Sequence, residues 1–422
     1  MPDDDPPSIE QTLSDLLKRA TRAIQDGQHA GRADEAKPTV DIVEAGADPT
    51  GDEPIDRVLQ DVAEPEAVVA FPPGRYLVGS LGELAQDGLE LRGTDATLVP
   101  DDRTDPEAFV TLAGREQVVD GFEYEVHGCR VAPTWHVRTD ARISDVTVTG
   151  DASAGPEYAP ADSGKRACSL FTVKQVPAGT QALLQDIAMR DGVANDRDAR
   201  RGWFLEDNDG AVVFDDVAMA GWAENTVYGT YCNGQDPDAR AVFRELELRN
   251  TNVGLRTTGD CLVEDSVFVH DGPVPAQQWS GGRRQRGVWV EGGKSAHPGG
   301  TTVLRNCDFR WTADAPEHAG QPVVVNPPPK RVVLDGLRID NRHPSWPSVE
   351  LDPHEGPPVE LVVRNLHVTQ RNDTPVFRLR GEYELVEASG LHVDADGPLS
   401  SERVQPLQDA VVDTAPTTPR VD

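Results

Sequence analysis

The feature that most constrains this chain is a short apolar alternation that returns eight times: RISDVTV, LLQDIAM, VFDDVAM, VFRELEL, LVEDSVF, VLRNCDF, VLDGLRI and VVRNLHV. Each copy passes through a polar residue at an equivalent point, in order Asp145, Asp186, Asp216, Glu245, Asp265, Asn306, Asp335 and Asn365. The successive intervals are 41, 30, 29, 20, 41, 29 and 30 residues, and periods of about 20–50 residues mark solenoids, propellers or arrays. A second short strand precedes most copies: GWFLE, VGLRT, GVWVE, PVVVN, SVELD and VFRLR. Two or three short strands per turn, with no helical stretch between them, predict an all-β solenoid, the right-handed parallel β-helix. The repeated Asp and Asn are read as turn residues whose side chains hydrogen-bond the backbone.

The ends differ from the middle. Residues 8–26, SIEQTLSDLLKRATRAIQD, place Ile9, Leu13, Leu16, Leu17, Ala20 and Ile24 at helical spacing behind Ser8, a good N-cap. This predicts a short amphipathic helix whose apolar stripe meets the body of the protein or a partner chain. Residues 1–37 are therefore read as helix and linker, 38–395 as the β-helix, and 396–422, rich in Pro, Asp, Thr and Ser, as a loose tail.

Composition narrows the partners. Seventy-two Asp plus Glu against 40 Lys plus Arg leave a net charge of −32. Neither nucleic acid nor an anionic membrane surface is an expected partner of such a chain. No run reaches the 18 or more apolar residues of a membrane span, so insertion is not expected. Only six of the cations are Lys, and aromatic residues make up 5%. Acid-rich and lysine-poor together point to molar salt, as in a halophilic archaeon or its virus, where acidic self-repulsion is screened within a few ångströms. The start, MPDDDPPSIE, carries no cationic stretch leading into an apolar one, which predicts a cytoplasmic or virion-associated protein unless the true start lies upstream. Five scattered cysteines without a CxxC pair are expected to be buried free thiols.

Residues 40–81 read VDIVEAGADPTGDEPIDRVLQDVAEPEAVVAFPPGRYLVGSL. The Gly46-Ala47 turn with Gly51, the helix around Ile55 to Val62 and the run Phe71-Pro72-Pro73-Gly74-Arg75-Tyr76 resemble the opening of the pectate-lyase-like superfamily, where a "GA-x-x-x-G" turn and short helix lead to a strand ending in "FPPGxY". One departure is DPTGDEP where relatives often have "DGxxDD". The likeness is close over about forty residues and loose to about residue 395. It implies the parallel β-helix fold. It leaves function open, because the superfamily holds lyases, glycosidases, epimerases, phage tailspikes and catalytically silent surface proteins.

Strand alternation then places candidates. In a coil, alternate residues point inward and the others outward, and coils stack about 4.8 Å apart. Phe204 and Glu206, Arg256, Trp289 and Glu291, Val324 and Asn326, Glu350 and Asp352, and Arg378 and Arg380 fall on the outer parity, joined by Tyr228 or Thr230. Aromatics, arginines and carboxylates on one face compose a sugar groove. The segment HDGPVPAQQWSGGRRQRG (270–287) adds Trp279, Arg283, Arg284 and Arg286 in a locally basic excursion suited to an acidic glycan. Hydrolysis needs two carboxyls roughly 5–9.5 Å apart. Glu206 and Glu291 lie three coil steps apart, about 14 Å, so a hydrolytic pair would come from Glu206, Asp207 and Asp209, which also read as an acidic turn. A lyase would use Arg256 beside Asp260, with Glu291 on the next coil and Ca²⁺ as the one cofactor such chemistry calls for.

The expectation is a salt-adapted β-helix that binds an acidic polysaccharide, with lyase- or glycosidase-type cleavage as the enzymatic form of that reading. The alternative is a structural or adhesive β-helix, such as a virion tailspike or surface component. That protein would attach, or assemble as a homo-oligomer such as a trimer, through residues 8–26.

Overall fold

Each repeat becomes a coil because one residue bends its strand. Asp145, Asp186, Asp216, Glu245, Asp265, Asn306 and Asn365 all have φ between 48° and 53°, the left-handed region that short polar side chains tolerate best. The cross-strand ladder skips this residue: Gln185 pairs with Asp215 and Ile187 with Val217, leaving Asp186 and Asp216 at the bend. In the coil of VLDGLRI the bend falls one residue later than the repeat alignment places it. There Gly336 takes the left-handed position, with φ 68°, and Asp335 pairs with Arg305 on one side and Arg364 on the other. Glycine is at home at such an angle, so this copy needs no polar side chain in the bend.

The computed structural model describes residues 37–79, 81–101, 109–126, 134–152, 169–193, 201–233, 241–257, 261–274, 285–291, 300–312, 320–326, 329–352, 359–380, 383–401 and 405–412. Among these, the strands form two parallel sheets. A broad sheet of nineteen strands holds the bent repeats, and a narrow sheet of eleven runs from Gly82–Leu84 to Phe377–Leu379, one strand per coil. Parallel neighbours in every coil, with the chain winding between two sheets, make this a parallel β-helix. The helix expected over 8–26 lies outside the described residues. Within the segment that resembles the superfamily opening, a helix spans Asp56–Val62 and buries Leu59. Of the stretch expected as a tail, residues 396–401 and 405–412 close the last coil. Leu391 bridges Val411, Phe377 bridges Ser400, and Leu407 is fully buried.

Register puts like beside like. One inward row runs Trp135, Phe171, Trp203, Val227, Leu255, Val288, Val323, Val349 and Phe377. Its ring pair Phe171–Trp203 stacks at 4.2 Å, and each buried aromatic removes about 150–250 Å² from water. An outward row before the bend alternates in sign through six coils: Asp215, Arg244, Glu264, Arg305, Asp335, Arg364. Arg244 donates to Asp215 through Nε at 2.7 Å and Nη2 at 3.2 Å, and Arg305 pairs with Glu264. Opposite charges directly across a ladder contribute about 0.2–1 kcal/mol each. Cys261 and Cys307 are buried, and burial pushes the Cys307 thiol up to about 12.

Two titrations follow from this packing. His270 lies fully inside against Trp311, ring centroids 4.5 Å apart, and burial pushes it down to about 3 from 6.5. The unfolded chain therefore binds the proton more readily. Stability is whole above about pH 6.5 and falls as pH drops toward 3, by about 1.4 kcal/mol per unit for this one group. His270→Phe should flatten the fall in chemical-denaturation midpoints between pH 6.5 and 4. An unchanged slope would remove His270 from it. At the bend, burial and then the charges of Asp216 and Asp215 raise the Asp186 carboxyl. Its ionisation opposes folding, so stability declines as pH rises past the carboxylate range. Asp186→Asn, with the residue type that Asn306 and Asn365 already use, should raise the melting temperature, more in dilute buffer than in molar salt. An equal or lower melting temperature in dilute buffer would contradict this.

Candidate functional site

Two short sequences repeat across the narrow sheet, RGWF (201–204) and RGVW (286–289), with VGLR (253–256) aligned between them. Trp203, Val227, Leu255 and Val288 stand in one row facing the core. The next residue of each strand therefore faces outward, stacking Phe204, Tyr228, Arg256 and Trp289 coil upon coil. The central Gly of RGVW sits where the coils press closest: a β-carbon at Gly287 would lie 2.7 Å from the Pro322 carbonyl oxygen.

The result is a ladder in which cations and rings interleave. The Arg201 guanidinium lies 4.8 Å from the Phe204 ring centroid and 4.3 Å from that of Tyr228. Arg256 lies 4.6 Å from Tyr228 and 3.9 Å from Trp289, and Arg286 lies 3.8 Å from Trp289 on its own strand. Phe204 and Tyr228 meet at 5.6 Å. A cation within about 6 Å of a ring face is attracted by its quadrupole, by about 0.5–2 kcal/mol according to how far the pair is desolvated. Glu291 is buried, and its Oε2 takes both Nε and Nη2 of Arg256 at 2.7 Å. Trp289 Nε1 donates to the Asn326 carbonyl at 3.0 Å, which fixes the indole plane.

The candidates read from sequence thus separate. Tyr228, Arg256, Arg286, Trp289 and Glu291 come together on consecutive coils. Glu291 and Tyr228 differ from their outer parity in being buried, and Arg286 is buried beside them. Glu206 is half-buried opposite Lys174, three coil steps from the strand that leads into Glu291. Asp207 and Asp209 are exposed, Asp207 with φ 51°. Between them Asn208 turns inward, accepting from Val176 N at 3.1 Å and donating to Val173 O at 3.2 Å. Asp260, Trp279, Arg283 and Arg284 lie outside the described residues.

Arg201 was not among those candidates, although the repeated Arg-Gly-x-aromatic spacing marks it. Two rows further along the same face, Glu350 is buried between Gln321, which donates to it, and Arg378, whose Nη1 is 3.4 Å from Oε2. Among the described residues no group of three or more His, Cys, Asp or Glu is placed to hold a metal ion.

No protein-family model matches the chain, and no curated protein matches it in sequence. Solved structures do resemble it. The catalytic unit of a thermostable GH87 α-1,3-glucanase from Streptomyces thermodiastaticus superposes with a TM-score of 0.50 at 12% identity, over 92% of this chain and 72% of that one. The surface protein and adhesin PfbA of Streptococcus pneumoniae gives 0.46 at 12% identity, covering 85% and 95%. The A-module of the Azotobacter vinelandii mannuronan C-5 epimerase AlgE4 gives 0.42 at 13%, covering 89% and 100%. At such identities the likeness is one of fold, and the fold this chain shares is the right-handed parallel β-helix.

Proposed function

We propose that this chain is a salt-adapted β-helix that binds an acidic polysaccharide along the outer face of its narrow sheet. The observation that carries the reading is the ladder of Arg201, Phe204, Tyr228, Arg256, Trp289 and Arg286. Three guanidiniums and three rings stand on consecutive coils of a chain whose net charge is −32. Guanidiniums take carboxylate or sulfate in planar pairs, and the rings, whose faces Arg201, Arg256 and Arg286 already cover, hold those cations in place. Arg283, Arg284 and Trp279 are proposed to extend the same surface.

Salt decides how such a surface works. In dilute buffer the overall negative charge repels an anionic polymer. At about 1 M salt the screening length is about 3 Å, so that repulsion vanishes while contact pairs and stacking persist. Binding should therefore hold or strengthen toward molar salt, opposite to an ordinary cationic patch.

Within the ladder Arg256 serves binding better than proton transfer, since its guanidinium is already clamped by Glu291 and two rings. Cleavage, if present, would draw on Glu206, Asp207 and Asp209 for hydrolysis, or on Arg256 and Asp260 with Ca²⁺ for elimination. A screen of uronic-acid and sulfated polysaccharides in molar salt separates these outcomes. Ultraviolet absorbance with new reducing ends identifies a lyase, and new ends alone a hydrolase. Retention on the polymer with neither identifies a binding or adhesive protein.

Trp289→Ala removes the ring on which Arg256 and Arg286 both rest. It should weaken binding to the retained polymer by about five- to thirtyfold, the equivalent of about 1–2 kcal/mol, with far-ultraviolet ellipticity unchanged. Equal affinity in a folded variant would move the binding face elsewhere.

A further inference from the structure

A second outward row, on the broad sheet, is apolar where alternation calls for polar residues. Leu183, Val213, Val242, Leu262, Val303, Val333 and Val362 stand in register through seven consecutive coils. They form a cluster separate from the core, each no more than 3% exposed. Their neighbours along each strand, among them Phe214, Phe243 and Leu304, are the ones that enter the core. A strand apolar on both faces is a strand covered on both faces. The row also has a definite start. The same position in the preceding coils holds Glu90, Val118 and Arg142, so the apolar strip begins only at Leu183.

We propose that residues 8–26 of the same chain form a helix that lies along this row and covers it. Nothing in this depends on the glycan reading. The lengths agree: seven rungs span six steps, about 29 Å, and a nineteen-residue helix is about 28 Å long. The linker reaches. The described chain starts beside Thr39, five rungs from Leu183 through Val68, Glu90, Val118 and Arg142, about 24 Å away. Residues 27–36 extend to about 33 Å.

Entering from that side, the helix sets Ile24 near Leu183, Leu16 and Leu17 near the middle rungs, and Ile9 near Val362. Charge agrees with that direction. Lys18, Arg19 and Arg22 fall toward the half where the bends are acidic, at Asp186, Asp216 and Glu245. Glu10 and Asp15 fall toward the half where the bends are the uncharged Asn306, Gly336 and Asn365.

Trypsin tests this on the full chain in molar salt, because Lys18, Arg19 and Arg22 lie in the helix and Arg32 in the linker. The wild type should be cut first at Arg32, with Lys18, Arg19 and Arg22 slower by tenfold or more, and should sediment as a monomer. Leu13→Asp/Leu17→Asp should abolish that protection while keeping β ellipticity, and Val303→Asp should do the same from the other side. A Val303→Asp chain that fails to fold is recognised by lost ellipticity, and the helix variant then decides alone. Equal cutting at all four sites in wild type overturns the proposal. So does protection that survives the substitutions, which would mean another segment covers the row. A wild-type oligomer that becomes monomeric in Leu13→Asp/Leu17→Asp would assign the stripe to a second copy and also overturn it.

Discussion

Every feature of this molecule depends on the parallel backbone ladder holding successive coils in one register. Because each rung sits about 4.8 Å above the last, a residue type repeated in sequence becomes a continuous stripe in space. The inward stripe of Trp135, Phe171 and Trp203 is a stack of rings. The row from Asp215 to Arg364 is an alternation of charge, and the row from Phe204 to Trp289 carries three rings and the Arg256 guanidinium. Register itself is kept by the bend residues, which each spend one left-handed position to turn the strand. A one-residue slip in any coil would exchange its core and solvent faces and interrupt every stripe at once.

Much of this was legible in the repeats. The eight alternations predict the bent strands of the broad sheet from Arg142 to Gln370, and GWFLE, VGLRT and GVWVE predict strands of the narrow one. Where legibility failed, the physical cause is specific. The repeat aligns Asp335 with the bend because it is polar, but a bend requires a left-handed backbone, and Gly336 supplies that more readily. Parity alone places Glu291 outside. Parity does not see that the Arg256 guanidinium folds over it. Arg201 is marked in the sequence only by the Arg-Gly-x-aromatic spacing it shares with Arg286, and the rings it covers, Phe204 and Tyr228, come from two coils and meet only by pairing. The apolar pairs that open the repeats, such as Val213-Phe214 and Val303-Leu304, hold a further signal. Simple alternation needs only one apolar residue of each pair, and the second marks a covered outer face.

The charge pattern ties fold to function. Acidic residues concentrate at the bends, where Asp186 feels Asp215 and Asp216, while arginines are drawn into paired rows and the aromatic ladder. On the proposed reading, excess acid is set against guanidiniums reserved for contacts whose geometry outlasts screening, and that division would let an acidic chain offer a cationic, aromatic face to an anionic sugar chain.

The most direct test of that face is hydrogen exchange on the full chain in molar salt, with and without a saturating acidic oligosaccharide that the protein retains. Slowed exchange confined to Arg201–Asn208, Asn225–Asn233, Val253–Thr257 and Arg286–Val290 is the predicted result. Protection on the broad sheet instead, or none in these four strands at saturation, would contradict it.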